Sequence, residues 1–148
     1  MREPLKTQRG SVTVELAVLL APLILLAFGI TEYGRAIYQY NAVAKNVRTS
    51  ARYLSQYAPG DSTRIGEAKC LVVYGNTACQ TPALLPGLTL ADVTIRDRSN
   101  APAYNLQSTS RGVVNLVSVE VTGYVFTSLL PSVVPDLTFD TIQTTMVQ

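Results

Sequence analysis

The first thirty residues contain one long apolar run. From Val12 to Ile30 the only ionisable side chain is that of Glu15. As an α-helix these 19 residues would extend about 28 Å, close to the roughly 30 Å hydrocarbon core of a bilayer. The run therefore predicts a transmembrane helix, which we place at Val12 to Thr31.

Beyond the run, apolar residues recur at steps of three and four, which is typical of a half-buried helix. These positions are Tyr33, Ala36, Ile37, Tyr40, Val43, Ala44, Val47, Ala51 and Leu54. The opposite side carries Arg35, Gln39, Lys45, Arg48, Arg52 and Gln56. We interpret this second row as a solvated face rather than as a nucleic-acid or anionic-lipid patch. Arg35 is a candidate for contact with lipid headgroups.

The helical pattern ends at the stop signal Ala58-Pro-Gly-Asp61. A single helix from Ser11 to Tyr57 would be roughly 70 Å long, with a kink or a local loosening expected at Pro22. The residues that follow are too few to cover a helix of that length. Part of its apolar face must therefore meet a membrane or other subunits.

The remaining chain predicts a small α+β domain. Residues 62–74 have the pattern of a short helix that stops at Gly75. Strands are predicted at Ala91–Asp97, at Val114–Phe126 and, more weakly, at Leu137–Val147. Within the second strand, Val117, Val119, Val121 and Val125 alternate with Ser118, Glu120, Thr122 and Tyr124. We expect Arg98–Gly112 to be a mobile hairpin loop, and an antiparallel sheet of three or four strands to pack on the upper half of the long helix.

Charge is concentrated at the N-terminus. Residues 1–10 have a net charge of +2, from Arg2, Lys6 and Arg9 against Glu3. Residues 11–148 have no net charge, because they contain nine basic and nine acidic side chains. Residues 11–148 therefore lack the basic surplus on which nucleic-acid binding depends. The cations before the apolar run predict a cytoplasmic N-terminus.

Catalytic chemistry has little support in the composition. The chain has no histidine and two cysteines, which excludes Ser-His and Cys-His nucleophile pairs, histidine-ligated metals and four-thiolate sites. The acids Asp92, Asp97, Asp136 and Asp140 are scattered through strands and turns. We predict neither enzymatic activity nor a cofactor or metal.

Specific motifs surround the apolar run. Gly10-Ser-Val-Thr-Val-Glu15 resembles the cleavage motif of type IV pilins and pseudopilins, which a prepilin peptidase cuts after the glycine and whose fifth mature residue is glutamate. Glu15-Leu-Ala-Val-Leu-Leu-Ala-Pro22, Gly29-Ile-Thr-Glu-Tyr-Gly-Arg35 and Ala51-Arg-Tyr53 are similar to the TadE-like proteins of the tight-adherence (Tad) pilus system. The resemblance extends over residues 9–57.

This resemblance implies a minor pilin or pseudopilin, processed between Gly10 and Ser11. In a bundle of such helices, the assembly residue Glu15 would neutralise the new N-terminus of a neighbour. The implied partners are the peptidase, the major pilin and other pseudopilins, and the inner-membrane assembly platform with its ATPase. The expected organisation is a cytoplasmic leader at 1–10, a membrane-spanning and amphipathic helix at 11–58 and a periplasmic or extracellular domain at 59–148. The protein would lie in the bacterial inner membrane as a single-pass protein, or in the surface pilus.

Cys70 and Cys79 are a candidate disulfide if the domain lies outside the cytoplasm, and two reduced thiols otherwise. Three other readings of the N-terminus stay open. It is a plain signal anchor, the anchor of an enzyme or sensor, or a secretory signal peptide cut at Ala27-Phe-Gly29 to release a binding protein. Against the signal peptide, the helical pattern continues through that site, and a carboxylate inside the apolar region is unusual.

Overall fold

The computed structural model describes residues 9–110 and 112–148, with side chains from residue 12 onward. Most of the predicted leader, residues 1–8, therefore lies outside the described residues, as do the side chains of residues 9–11. The backbone at Gly10 and Ser11 belongs to the first helix.

The first helix, α1, spans Arg9–Leu54 and continues through Pro22 without a break. It ends three residues before the predicted Tyr57. Its last turn tightens, because Gln56 and Tyr57 donate to carbonyls only three residues back. Gln148 then caps this end, with Nε2 donating to the carbonyls of Leu54 at 3.3 Å and Tyr57 at 2.9 Å.

The second helix, α2, spans Ser62–Tyr74, as predicted. Asp61 caps its start by accepting hydrogen bonds from the backbone N–H groups of Thr63 at 3.0 Å and Arg64 at 3.2 Å. Gly75 ends it in the left-handed region, at φ 71°. Cys70 at the end of α2 and Cys79 in the following loop form a disulfide, with their Cα atoms 4.9 Å apart.

The predicted antiparallel sheet is present and has four strands, three of which pair with a long central strand. A 3₁₀ turn at Leu90–Asp92 leads into β1 at Val93–Arg96, and a short helix, α3, at Pro102–Asn105 leads into β2 at Leu106–Thr109. The central strand β3 is Gly112–Val121, and β6 is Ile142–Val147. β1, β2 and β6 each pair antiparallel with β3. A separate two-stranded ribbon pairs β4, Val125–Phe126, with β5, Leu137–Thr138.

The predicted strand at Val114–Phe126 is in fact two strands. Gly123 adopts φ 72°, a conformation that glycine tolerates, and it separates β3 from β4. The alternation is reversed beyond this point, so Val125 is exposed and Tyr124 is buried. The prediction had placed Val125 with the apolar face.

The prediction of a mobile loop at Arg98–Gly112 was also wrong, since this segment contains α3 and β2. Asn105 holds this segment in place and is 1% exposed. Its side-chain amide donates to the carbonyl oxygens of Arg96 at 3.0 Å and Leu116 at 3.1 Å, and to Ser118 Oγ at 3.2 Å. These bonds give the buried amide nitrogen of Asn105 its hydrogen-bond partners.

The core lies between the sheet and the upper half of α1, residues 32–54. It joins side chains of both long helices to the inner face of β1, β3 and β6: Val43, Val47, Ala51, Leu54, Ala68, Val72, Val73, Val93, Ile95, Val117, Val119, Val121 and Ile142. The fold is therefore α+β, with the antiparallel sheet packed on the helix, as predicted. We call residues 55–148 the head. It covers only part of α1.

Candidate anchor and assembly site

The lower half of α1 has an uncovered apolar surface. Every residue from 12 to 28 is exposed, and Leu19 and Ile30 are 70% and 71% exposed. Among residues 9–110 and 112–148, this is the one helix long and apolar enough to cross a membrane, by length and composition. Because a large apolar side chain gains about 1.5–3 kcal/mol on burial, a surface of this size calls for cover by lipid or protein.

Glu15 lies on this exposed half of α1. Because Ser11 is also within α1, the two residues are separated by one helical turn, about 6 Å along the axis. The same continuous helix connects Glu15 to the head, so α1 joins the N-terminal motif to the folded domain without a break.

The exposed surface continues above the predicted span. Tyr33, Ile37 and Tyr40 are exposed there, whereas the buried positions are Glu32, Ala36, Gln39, Val43, Val47, Ser50, Ala51 and Leu54. The predicted apolar face was therefore wrong at Tyr33, Ile37 and Tyr40, whereas Ala36 is buried as predicted. Hydrogen bonding decides this, because the buried polar side chains of Glu32 and Gln39 are matched by partners in the head.

Glu32 is the lowest of these contacts and is 4% exposed. Its Oε2 accepts hydrogen bonds from Ser128 Oγ at 3.1 Å, from the Leu129 backbone N–H at 3.1 Å and from Arg35 Nη2 at 2.9 Å. The Nη2 group of Arg35 also donates to the Thr127 carbonyl at 2.7 Å. We call Glu32, Arg35, Thr127, Ser128 and Leu129 the clasp.

Arg35 had been predicted on a solvated face, but it belongs to this clasp. Its guanidinium Cζ lies 4.5 Å from the centroid of the Phe126 ring, a cation–π geometry. Lys45, Arg48 and Arg52 of the same predicted row are exposed. The clasp therefore joins a carboxylate, a guanidinium and an aromatic ring where α1 leaves the predicted span.

A second polar contact lies two turns higher. Tyr124 Oη donates to Gln39 Oε1 at 2.9 Å and lies 3.2 Å from the Pro86 carbonyl. Burial raises the pKa of the Tyr124 hydroxyl, although the positive charge of Arg35 opposes the shift. Tyr124 therefore remains a neutral donor at neutral pH, as its bond to Gln39 requires.

The upper end of α1 is joined to α2 through Tyr53. Its hydroxyl donates to Glu67, which also accepts from Arg64 Nη1 at 2.8 Å. The bonds from Tyr53 and then Arg64 lower the pKa of Glu67, while the bond to Glu67 raises the pKa of Tyr53 to about 12. Ala51 is fully buried in the core. The Ala51-Arg-Tyr53 motif thus fixes the head on the helix.

The four acids that were candidates for chemistry have structural contacts. Thr89, Ser128 and Thr141 donate backbone N–H groups to Asp92, Asp136 and Asp140 respectively.

Asp97 accepts backbone N–H groups from Gly60 at 2.7 Å and Ser99 at 2.8 Å. Burial raises the pKa of Asp97, but its hydrogen bonds outweigh that effect and the net shift is downward. Within the described part of the chain, no cluster of three or more His, Cys, Asp or Glu residues could hold a metal.

Comparison with known protein families gives a match to the segment that contains these features. Residues 10–52 match the family model described as TadE-like protein. This segment is similar to TadE-like proteins. The TadE-like match begins at Gly10, contains Glu15, Glu32 and Arg35, and ends within the last turn of α1. No curated protein and no solved structure gives a significant match to the chain.

The sequence reasoning missed the role of Glu32. The available signal was local: an acid at the end of the apolar run, followed by an arginine three residues later, a spacing at which opposite charges pair on a helix. The other partners, Ser128 and Leu129, are 96 and 97 residues away. One sequence gives no sign of such distant contacts.

Replacing Glu32 with Ala should release the lower end of the head from α1. The Leu129 amide loses its acceptor, so we expect its hydrogen exchange to accelerate by about tenfold or more, measured on the full chain in detergent micelles. Amides of the β3–β6 pair should keep their protection, because they do not depend on the clasp.

The matched control is Glu67→Ala. Glu67 also pairs with an arginine three residues away, but at the α1–α2 contact. It should leave exchange at residues 127–130 unchanged. Unaltered exchange at Leu129 in the Glu32 variant would contradict the assignment of the clasp.

Proposed function

We propose that this chain is a minor pilin or pseudopilin of the Tad pilus. The observation that carries the proposal is one continuous helix whose lower half is apolar and uncovered and whose upper half supports a folded head. The TadE-like match covers most of this helix and starts at Gly10. A protein built to assemble through its helix needs this combination of an uncovered rod and a rigid head.

In this proposal, Val12 to Thr31 crosses the bacterial inner membrane once. The basic leader stays in the cytoplasm, following the positive-inside rule, and the head lies in the periplasm. The Cys70–Cys79 disulfide supports this orientation, since disulfides persist in oxidising compartments. From the membrane, the protein would pass into the pilus.

A prepilin peptidase removes residues 1–10 by cutting between Gly10 and Ser11. The cut creates a positively charged amine on Ser11, one helical turn from Glu15. When helices pack side by side, Glu15 of one subunit neutralises the amine of its neighbour. A charge in the apolar layer costs about 2.5–3.5 kcal/mol at the bilayer centre and less near an interface, so pairing relieves an existing penalty.

The proposed partners follow from the exposed surfaces. The apolar lower half of α1 and the exposed Tyr33, Ile37 and Tyr40 above it would pack against the helices of the major pilin and other pseudopilins. The assembly platform and its ATPase would act on the protein in the membrane. The work of the chain is assembly, in support of adhesion or secretion, and the chemistry belongs to the peptidase.

Gly10→Ala should block maturation in cells that contain the peptidase, because the cleavage motif requires glycine before the cut. An immunoblot should show only the longer form. The matched control is Gly29→Ala in the same helix, where an added Cβ meets no atom within 4 Å beyond its chain neighbours and its own stretch of helix backbone. That variant should mature normally. Normal maturation of the Gly10 variant would refute the cleavage assignment.

Glu15→Val should leave cleavage intact but reduce incorporation into pili, because the amine of a neighbouring Ser11 loses its counter-charge. Maturation is followed by immunoblot and incorporation by detection of the protein in sheared pilus fractions. Thr31→Val is the control, since it adds the same apolar side chain to an exposed position of α1. Wild-type incorporation of the Glu15 variant would count against the pairing role.

A further inference from the structure

Residues 124–129 of the head contact α1 at positions progressively nearer the predicted membrane boundary. Tyr124 hydrogen-bonds Gln39, the Phe126 ring contacts Arg35, and Ser128 and Leu129 bind Glu32. From Gln39 to Glu32 the helix falls by about 10 Å towards its N-terminus. Glu32 directly follows the last residue of the predicted span. The chain therefore reaches the level of the boundary at Leu129.

The segment at this level has no charge. Residues 129–134, which we call the boundary loop, read Leu-Leu-Pro-Ser-Val-Val. Leu129 is 72% exposed and Val133 is 38% exposed. The loop is also compact, because the N–H groups of Val133 and Val134 both donate to the Leu130 carbonyl, at 2.9 and 3.0 Å. An apolar turn with internal hydrogen bonds is suited to an environment poor in water.

The charged groups near the boundary loop are bound at the start of the loop. The Glu32 and Arg35 side chains are engaged in the clasp, and Asp136 accepts the Ser128 N–H at 2.8 Å. Tyr33 is 63% exposed on α1 beside the clasp, and tyrosine is enriched where helices leave a bilayer. Charged groups above and apolar groups at the tip are the arrangement expected of an interfacial segment.

We propose that the boundary loop is a second membrane contact, in which Leu129 and its apolar neighbours enter the outer leaflet of the same phospholipid bilayer that α1 crosses. This inference rests on the proposed membrane anchoring of α1. Because the head is fixed on α1 by the core and the clasp, a second contact at the loop restricts the tilt of the whole protein relative to the membrane plane. The exposed Tyr33–Tyr40 surface is thereby held in one orientation relative to the membrane plane.

The chain has no tryptophan, so a single introduced tryptophan reports one position. Leu129→Trp places the probe in the boundary loop. Tyr104→Trp is the matched control. Tyr104 is 73% exposed, but α3 follows Asp97, which binds Gly60 beyond the far end of α1. That end is about 33 Å above Glu32. Phe28→Trp, inside the predicted span, tests the anchor itself.

Each full-length variant is reconstituted in vesicles of phosphatidylethanolamine and phosphatidylglycerol, with and without lipid brominated on the acyl chains near the carbonyl. The probe at position 129 should emit at shorter wavelength than the probe at position 104 and should lose intensity with brominated lipid. The probe at position 104 should keep its intensity with brominated lipid. The probe at position 28 should be quenched.

Quenching at 28 without quenching at 129 would overturn the boundary loop proposal and leave the anchor standing, and the loop would then be free for a protein partner. Absence of quenching at 28 would overturn both, because no bilayer would lie at the level of the loop. Quenching at 104 equal to that at 129 would also overturn the proposal, since it would indicate a head lying on its side.

Discussion

The uncovered apolar surface of α1 is the constraint on which the structure depends. The head is long enough to cover residues 32–54, and the side chains of residues 12–28 are left exposed. Water is an unfavourable environment for such a surface. In the proposed function, a bilayer covers the lower half of the helix while the protein is alone, and neighbouring helices cover it once the protein is assembled. Glu15 lies within this half, where a charge is costly unless it is paired.

The polar contacts of the upper half give the rod a defined orientation to its head. Glu32, Gln39 and Tyr53 point from α1 towards the head and meet Ser128, Tyr124 and Glu67 respectively. Hydrogen bonds are directional, so they define a rotation about the helix that apolar packing alone would leave loose. As a result, Tyr33, Ile37 and Tyr40 are exposed together.

Local signals in the sequence predicted much of the fold. The long helix follows from its apolar run and periodicity, and α2 follows from Asp61 and Gly75, whose capping chemistry depends on neighbours in sequence. Predictions failed where distant residues decide the outcome. Asn105 orders a segment that looks like a loop, and Glu32 rotates the buried face of α1 towards Ser128. At Gly123 a positive φ reverses the alternation, and one glycine does not reveal its φ. In the candidate site, the roles of Gly10 and Glu15 stay predictions from local motifs, whereas the clasp was missed because most of its partners are distant in sequence.

The intact mass of the protein purified from the cells that make it is the most direct test of this account. Assembly through α1 requires that the leader is removed while the apolar helix is kept. We therefore predict the mass of a chain that begins at Ser11. A chain that begins at Ile30 would indicate secretion by ordinary signal cleavage, and an intact chain from Met1 would indicate a bare anchor. Either result would contradict the pilin assignment.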